Sequence, residues 1–260
     1  MIWDIDPQVF SFSPVPRWYG LIFAGAFLTS FYLIQYQYRH DKKPVEWCDS
    51  LLVSNMIGMV IGMRLGHCLF YQPEIYLSEP WRILMIWEGG YASHGGYVGI
   101  FGSILYHSRK FKLGFWWVAD RVTLGALWVS AWIRVGNFFN SEMIGRPSDE
   151  PWAIIFPSLD MVPRHPTQLY EAFGYFVCSF LAWYMWRYTS LVKSEGKITG
   201  IILILGFSWR IFTEHFKINQ VAFEESMLLN MGQWLSIPFI VLGGLMVLGV
   251  QNSFKKLPKS

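Results

Sequence analysis

Seven stretches of this chain stay apolar for close to the roughly 20 residues that a helix needs to cross a bilayer, and this feature limits the fold more than any other. They run approximately 18–36, 51–71, 93–107, 115–136, 168–187, 199–216 and 232–250. In hydrocarbon every backbone polar group has to be satisfied internally, so such lengths imply helices. The sequence therefore predicts an all-α polytopic membrane protein with seven transmembrane helices. Composition agrees, with 53% hydrophobic and only 15% charged residues, too apolar for an ordinary soluble domain. No tandem repeat, low-complexity tract or linker divides residues 1–260, which read as a single integral-membrane domain. The longest outer loop, about 141–167, is a small extracytoplasmic elaboration. The third segment begins SHGGYVGIFG, and its glycines leave room for irregular backbone sheltered by protein.

Charge distribution orients the chain. Arg39, Lys42 and Lys43 follow the first segment, Arg109, Lys110 and Lys112 the third, Arg187, Lys193 and Lys197 the fifth, and Lys255, Lys256 and Lys259 the last. The intervening loops hold Glu74, Glu79, Glu88, Asp149, Glu150, Asp160, Glu224 and Glu225. Positive residues collect on the cytoplasmic side, which puts the N-terminus outside and the C-terminus in the cytoplasm. The N-terminus lacks a basic region followed directly by a short apolar core, so no cleavable signal peptide is expected. A net charge of +3 is too small to argue for a nucleic-acid partner.

With that orientation the polar residues of the spans gather in the outer half of the membrane. Tyr19 opens the first segment, His94 the third and Glu171 the fifth; Arg134, Asn137, Asn140 and Glu142 end the fourth; Arg210 and Glu214 end the sixth. Arg64 lies about two turns below the outer end of the second. Ionisable groups are costly in lipid and mark functional sites by default. Arg134 and Asn137 share a helical face, and a guanidinium fork suits phosphate. The plain alternative for Arg134 is a snorkelling side chain. Arg210 and Glu214 stand i, i+4 and either neutralise each other or hold the arginine for a substrate. His94, before two glycines, has the near-neutral pKa of a general base. His165, in RHPTQLYE, competes for that role, and either histidine serves equally well as a structural residue.

Several chemistries leave no trace. Cys48, Cys68 and Cys178 form no C-x-x-C pair and read as small buried side chains. No H-E-x-x-H, carboxylate cluster, G-x-S-x-G elbow or phosphate-cradling glycine loop is present, so neither a metal nor a soluble cofactor is expected. Gly58, Gly62 and Gly66 recur every four residues in the second segment and predict close helix packing.

Longer motifs then carry a family likeness. RWYG at 17–20, RLG with LFY at 64–71, IWEGG and SHGGYVG at 86–99, RVGNFFNSEMIGRPSD at 134–149, RHPTQLYE at 164–171, Arg210 with Glu214, and MGQWLSIP at 231–238 follow one another along nearly the whole chain. Together they resemble the prolipoprotein diacylglyceryl transferases, enzymes of the bacterial cytoplasmic (inner) membrane. The resemblance implies transfer of the diacylglyceryl group of phosphatidylglycerol to the lipobox cysteine of a prolipoprotein, leaving a thioether and glycerol 1-phosphate. It implies two membrane-borne partners, the lipid and a signal-peptide helix, and an active site facing the extracytoplasmic leaflet. Carried over motif by motif, it makes Arg134 the headgroup arginine, with Asn137, Glu142 and Gly145 shaping its pocket. Arg210 is assigned to the leaving phosphate, Glu214 to orienting it, His94 to activating the thiol, and Tyr19 to binding substrate through its hydroxyl.

Two positions depart from the family pattern. Gly206, four residues before Arg210, stands where a tyrosine is common, and Ser93 stands where an aromatic is expected before the histidine. Any role tied to that tyrosine is not carried over. An anion or lipid transporter using the same arginines is the rival class. It predicts polar groups on both sides of the midplane and repeated halves with broken helices, whereas the inner half is nearly bare. A structural membrane protein whose arginines merely anchor lipid is a third.

Overall fold

The computed structural model of the chain describes residues 1–10, 13–85, 87, 89–90, 92–218 and 229–249, and for 13–15, 93 and 94 only the backbone. Glu88, Glu224, Glu225, Lys255, Lys256 and Lys259, used above for orientation, lie outside the described residues. The main helices are α1 (Trp18–His40), α2 (Trp47–Phe70), α3 (Pro73–Ser78), α4 (Ser93–Lys110), α5 (Phe115–Phe139), α6 (Thr167–Tyr188), α7 (Lys197–Glu214), α8 (Met231–Trp234) and α9 (Ile237–Val247). Each expected apolar segment is thus mostly helical. Among the described residues α1, α2 and α5 are long and apolar enough by themselves to cross a membrane. The seventh segment is divided: a capping box between Asn230 and Gln233 starts α8, and α9 begins afresh with a proline in its first turn. The structure is mostly helical, with two short antiparallel pairs added, β1 (Gln8–Phe10) with β2 (Ser13–Arg17) and β3 (Ile154–Ile155) with β4 (Pro163–Arg164).

The chain forms two compact units, residues 34–119 and residues 1–33 with 120–260. In the first, α2 and α4 press their glycines together. A Cβ placed on Gly58 would lie 2.6 Å from the Gly99 carbonyl oxygen, and one on Gly66 3.0 Å from the Gly95 Cα. The glycine-rich start of α4 is therefore regular helix, because bare backbone on both sides permits the approach. Arg64 is buried here and points to backbone. Its guanidinium donates to the carbonyls of Ile83 at 3.1 Å, Arg82 at 2.5 Å and Met85 at 3.0 Å, and to that of Gly89, and it lies over the Tyr76 ring. It thereby ties the 3-10 helix Pro80–Leu84, with Met85 and Gly89, to α2.

The second unit packs α5, α6 and α7 around Leu124, Cys178, Ala182, Trp186, Ile198 and Ile202. The start of α7 has no side-chain cap of its own. Gly196 turns there with φ of 88°, and Asp120, buried on α5, accepts from the backbone N–H of Gly196 at 2.8 Å and of Thr199 at 2.9 Å. The carboxylate thus satisfies two orphan donors and the positive end of the helix. Above these helices the loop after α5 packs Ile144, Ile154 and Phe156 on Phe138. The N-terminal residues join that layer. Trp3 donates its N–H to the Ile155 carbonyl at 2.9 Å, and its ring centroid lies 4.3 Å from that of Phe138.

Filling the glycine contact is the direct test of the first unit. Gly62→Leu should destabilise it by about 2 kcal/mol or more through overpacking, since even a Cβ there would lie 2.9 Å from the Gly95 carbonyl carbon. Thermal unfolding in detergent measures this, and Ser50→Ala on the same helix, at a partly exposed position, should melt near the parent.

Candidate functional site

The outer end of α5 sets the site. The helix stops at Phe139, three residues past the expected end at 136, and Ser141 and Met143 then take left-handed backbone with φ of 52° and 56°. Glu142 N–H still bonds back to the Asn137 carbonyl at 2.9 Å, so the turn stays tight. It also points the Glu142 carboxylate back at the helix end. Asn137 donates to Glu142 Oε2 at 3.2 Å and Asn140 to Oε1 at 3.3 Å. Arg134 Nη1 in turn reaches Asn137 Oδ1 at 3.5 Å.

Gly145–Pro147 then pairs through its backbone. Gly145 N–H donates to the His165 carbonyl at 3.1 Å, and Arg146 N–H to the Phe216 carbonyl at 2.8 Å. Arg146 Nε adds a bond to the Lys217 carbonyl at 2.7 Å, and Gly145 and Lys217 form an antiparallel bridge. A Cβ on Gly145 would lie 2.5 Å from the His165 carbonyl oxygen and 2.7 Å from Thr167 Cγ2, which is why the position has no side chain. Arg164 donates to the Gly145 carbonyl at 3.3 Å and grips Asp160 through two contacts, of 2.5 and 3.2 Å. This bidentate partner holds the Asp160 carboxyl below its ordinary range. Gln168 Nε2 donates to the Glu142 carbonyl at 2.6 Å, and Thr167 Oγ1 to that of Met143 at 2.8 Å.

These bonds bring three segments together, and with them a row of alternating charges. Arg134 Nε lies 3.1 Å from Glu171 Oε2 as an ion pair. Glu171 Oε1 accepts from Lys217 Nζ at 2.8 Å, and the same ammonium donates to Glu214 Oε1 at 2.8 Å. Arg210 Nη2 completes the row, 3.8 Å from Glu214 Oε1. Glu171 is wholly buried and Lys217 4% exposed, whereas the side chains of Arg134 and Arg210 keep 17% and 29% of their surface. The arginines are therefore the accessible ends of a buried ionic chain. Glu214 is held from a further side by Asn230 Nδ2 at 3.3 Å, and Gly232 approaches so closely that a Cβ would lie 2.7 Å from its carboxylate. The MGQW motif at 231–234 thus packs on Glu214.

Tyr19 joins the same unit: its ring lies against Gly136, where a Cβ would lie 2.7 Å from Tyr19 Cδ2. The structure accordingly gathers Tyr19, Arg134, Asn137, Glu142, Gly145, Arg210 and Glu214. His94 occupies the first turn of α4, and its side chain lies outside the described residues. His165 does not stand alone as a base: its Nδ1 is 3.1 Å from the Tyr170 hydroxyl, which accepts from Trp152 at 2.7 Å. Among the described residues nothing comes within 4 Å of a Cβ on Gly206, so there the position has room for the hydroxyl-bearing residue it lacks.

Sequence reasoning missed Lys217 and gave Glu171 no role. The spacing held a signal, since Arg210, Glu214 and Lys217 step by four and three residues, although α7 itself ends at Glu214. A lysine at the outer end of a span is also out of place under the charge rule that oriented the chain.

Large apolar side chains such as Leu28, Ile57, Ile61, Phe180 and Val241 face outward, while Arg64, Asp120, Glu171 and Lys217 are buried. That inversion, with the helical build, defines a multi-pass membrane protein carrying a buried arginine–carboxylate centre. The sequence model of the prolipoprotein diacylglyceryl transferases matches residues 7–249. The chain belongs to this family. It is 43% identical over 250 residues to the phosphatidylglycerol–prolipoprotein diacylglyceryl transferase of Chloroherpeton thalassium, covering 95% of this chain and 93% of that one. Against the enzyme of the same name from Tolumonas auensis it is 42% identical, covering 95% and 96%, and against that of Bacteroides fragilis 38%, covering 93% and 92%.

The contact at Gly145 yields a prediction. Gly145→Ala forces the loop away from His165 and should lower kcat/KM about 100-fold through displaced site groups. Far-ultraviolet circular dichroism should be unchanged, because the clash falls on the His165 loop and on one side chain at the first position of α6, not on helical backbone.

Proposed function

We propose that the buried charge row is the lipid-headgroup centre of a diacylglyceryl transfer from phosphatidylglycerol to a prolipoprotein cysteine. The chain's activity is phosphatidylglycerol–prolipoprotein diacylglyceryl transfer. A sulfur–carbon bond forms on the glyceryl carbon that bears the phosphate, and the carbon–oxygen bond to phosphate breaks. Glycerol 1-phosphate leaves with the electron pair. The phosphodiester begins with one negative charge and its product carries more, so groups that attract anions stabilise the transition state beyond the ground state.

The observation that carries this reading is the pairing of Arg134 and Arg210 through one ionic chain, both at its accessible ends. A guanidinium has five N–H donors, more than Glu171 and Asn137 engage on Arg134. Arg134 holds the headgroup phosphate, with Asn137, Glu142 and Gly145 shaping its pocket. Arg210 takes the charge that develops on the leaving phosphate, oriented by Glu214, and the Tyr19 hydroxyl binds substrate. His94 accepts the thiol proton, since the thiolate is the nucleophile. No cofactor or metal has a part in this scheme.

Topology follows the charge pattern: seven spans in the bacterial cytoplasmic membrane, N-terminus outside, C-terminus in the cytoplasm, and the centre toward the outer leaflet. Residues 1–260 act as one catalytic domain, as the family match runs through both units. The lipid and the signal-peptide helix both arrive from within the bilayer.

Purified protein in detergent, with labelled phosphatidylglycerol and a lipobox peptide, tests the scheme. Arg134→Lys keeps the charge but loses the fork and should reduce the rate by about 100-fold or more; an undiminished rate removes Arg134 from the chemistry. Replacing the peptide cysteine by serine should abolish transfer. His94→Gln should flatten the pH–rate profile on its acidic limb, and a wild-type profile would assign thiol activation to another group.

A further inference from the structure

Lys217 is the one cation in the charge row placed between two carboxylates, and its position is overdetermined. Its ammonium reaches Glu171 and Glu214 at 2.8 Å each. Its carbonyl accepts from Arg146 Nε at 2.7 Å, and its backbone bridges Gly145. At 4% exposure it is more enclosed than either arginine side chain. Removing it would leave two buried carboxylates facing each other across the space that it fills, and unpaired buried charge is strongly unfavourable. Each carboxylate would then draw its own arginine inward.

From this geometry we infer that Lys217 is a positioning residue for the transfer reaction: by holding Glu171 and Glu214 it sets where Arg134 and Arg210 present their guanidinium groups to phosphate. The inference rests on the assignment of those arginines to the lipid headgroup. Lys217 itself touches no reacting atom. Its second effect is on charge. Along the row Arg134, Lys217 and Arg210 alternate with Glu171 and Glu214, three cations against two carboxylates. The centre keeps one positive charge, which matches a phosphodiester monoanion. Without Lys217 that surplus disappears, and the pull on phosphate weakens even where the arginines stay in place.

The test uses the full chain in mixed micelles of phosphatidylglycerol with a lipobox peptide. Lys217→Met should lower kcat/KM for phosphatidylglycerol about 100-fold, the usual scale for catalytic groups displaced by about 1 Å. The KM for the peptide should not change, and Lys217→Arg should recover most of the rate. Because Lys217 acts through the arginines, Arg134→Lys combined with Lys217→Met should lose less than the product of the separate losses. Wild-type kcat/KM in Lys217→Met, or strictly multiplicative losses, overturns the inference. If Lys217→Met does not fold, Lys217→Gln replaces it under the same two criteria. Failure of both to fold while Lys217→Arg is fully active assigns the residue to folding alone, which also overturns it. Full activity of Arg134→Lys and Arg210→Lys in the parent chain would instead refute the headgroup assignment.

Discussion

Two carboxylates and an ammonium, packed between helices and closed to solvent, are the constraint that the outer half of this structure has to satisfy. Glu171 and Glu214 stand on different helices, and each buried charge there needs a partner, because desolvating a charge costs several kcal/mol even after relaxation. Lys217 answers both at hydrogen-bond distance, so the start of α6 and the end of α7 have to meet. Lys217 is in turn held by the Gly145–Arg146 backbone. The loop after α5 is thereby tied to the same place as the helices it contacts.

That arrangement explains why a chain this apolar spends so many polar residues in one region. Lipid offers no hydrogen bonds, and helix surfaces facing it are lined by Leu28, Ile57, Phe180 and Val241. Polar groups are therefore turned inward, and each has to find protein partners there. Asp120 does so by capping α7, and Arg64 by collecting carbonyls of the segment before α4. Both are completed by backbone and hold structure. The row from Arg134 to Arg210 differs in ending on two partly exposed guanidinium groups. A centre that finishes at its accessible ends in donors has the form that the proposed headgroup role requires.

The helices were legible because hydrophobic length is a strong signal, and six of the seven segments appear as single helices with ends within a few residues of those read from hydropathy. The seventh divides because Pro238 restarts a helix where the apolar run is continuous, a feature that hydropathy averages away. Arg134, Asn137 and Glu142 were legible as a group because they are close in sequence. Lys217 was not, since its partners sit 46 residues back on α6 and three residues back on α7. Nor was the role of the N-terminus: Met1 and Trp3 bond to Ile155, a long-range pairing that no local pattern announces. Nor was the turn that follows α5, because Ser141 and Met143 carry its left-handed backbone instead of the glycine that ordinarily would.

An arginine already paired with a carboxylate is a poor phosphate receptor only if the pair consumes it. Glu171 meets Arg134 through Nε, and Asn137 through a long contact at Nη1. A carboxylate shared with Lys217 also attracts Arg134 less than an unshared one would, since its charge is divided between two cations. Glu214 is divided in the same way between Lys217 at 2.8 Å and Arg210 at 3.8 Å, and there the arginine has the longer contact. Both arginines are thus oriented by their carboxylates while the ammonium takes the stronger share of the interaction. In the proposed transfer, two guanidinium groups held in place before substrate arrives need little reorganisation when charge shifts onto the leaving phosphate. Preorganisation of this kind is where electrostatic catalysis gains most over water.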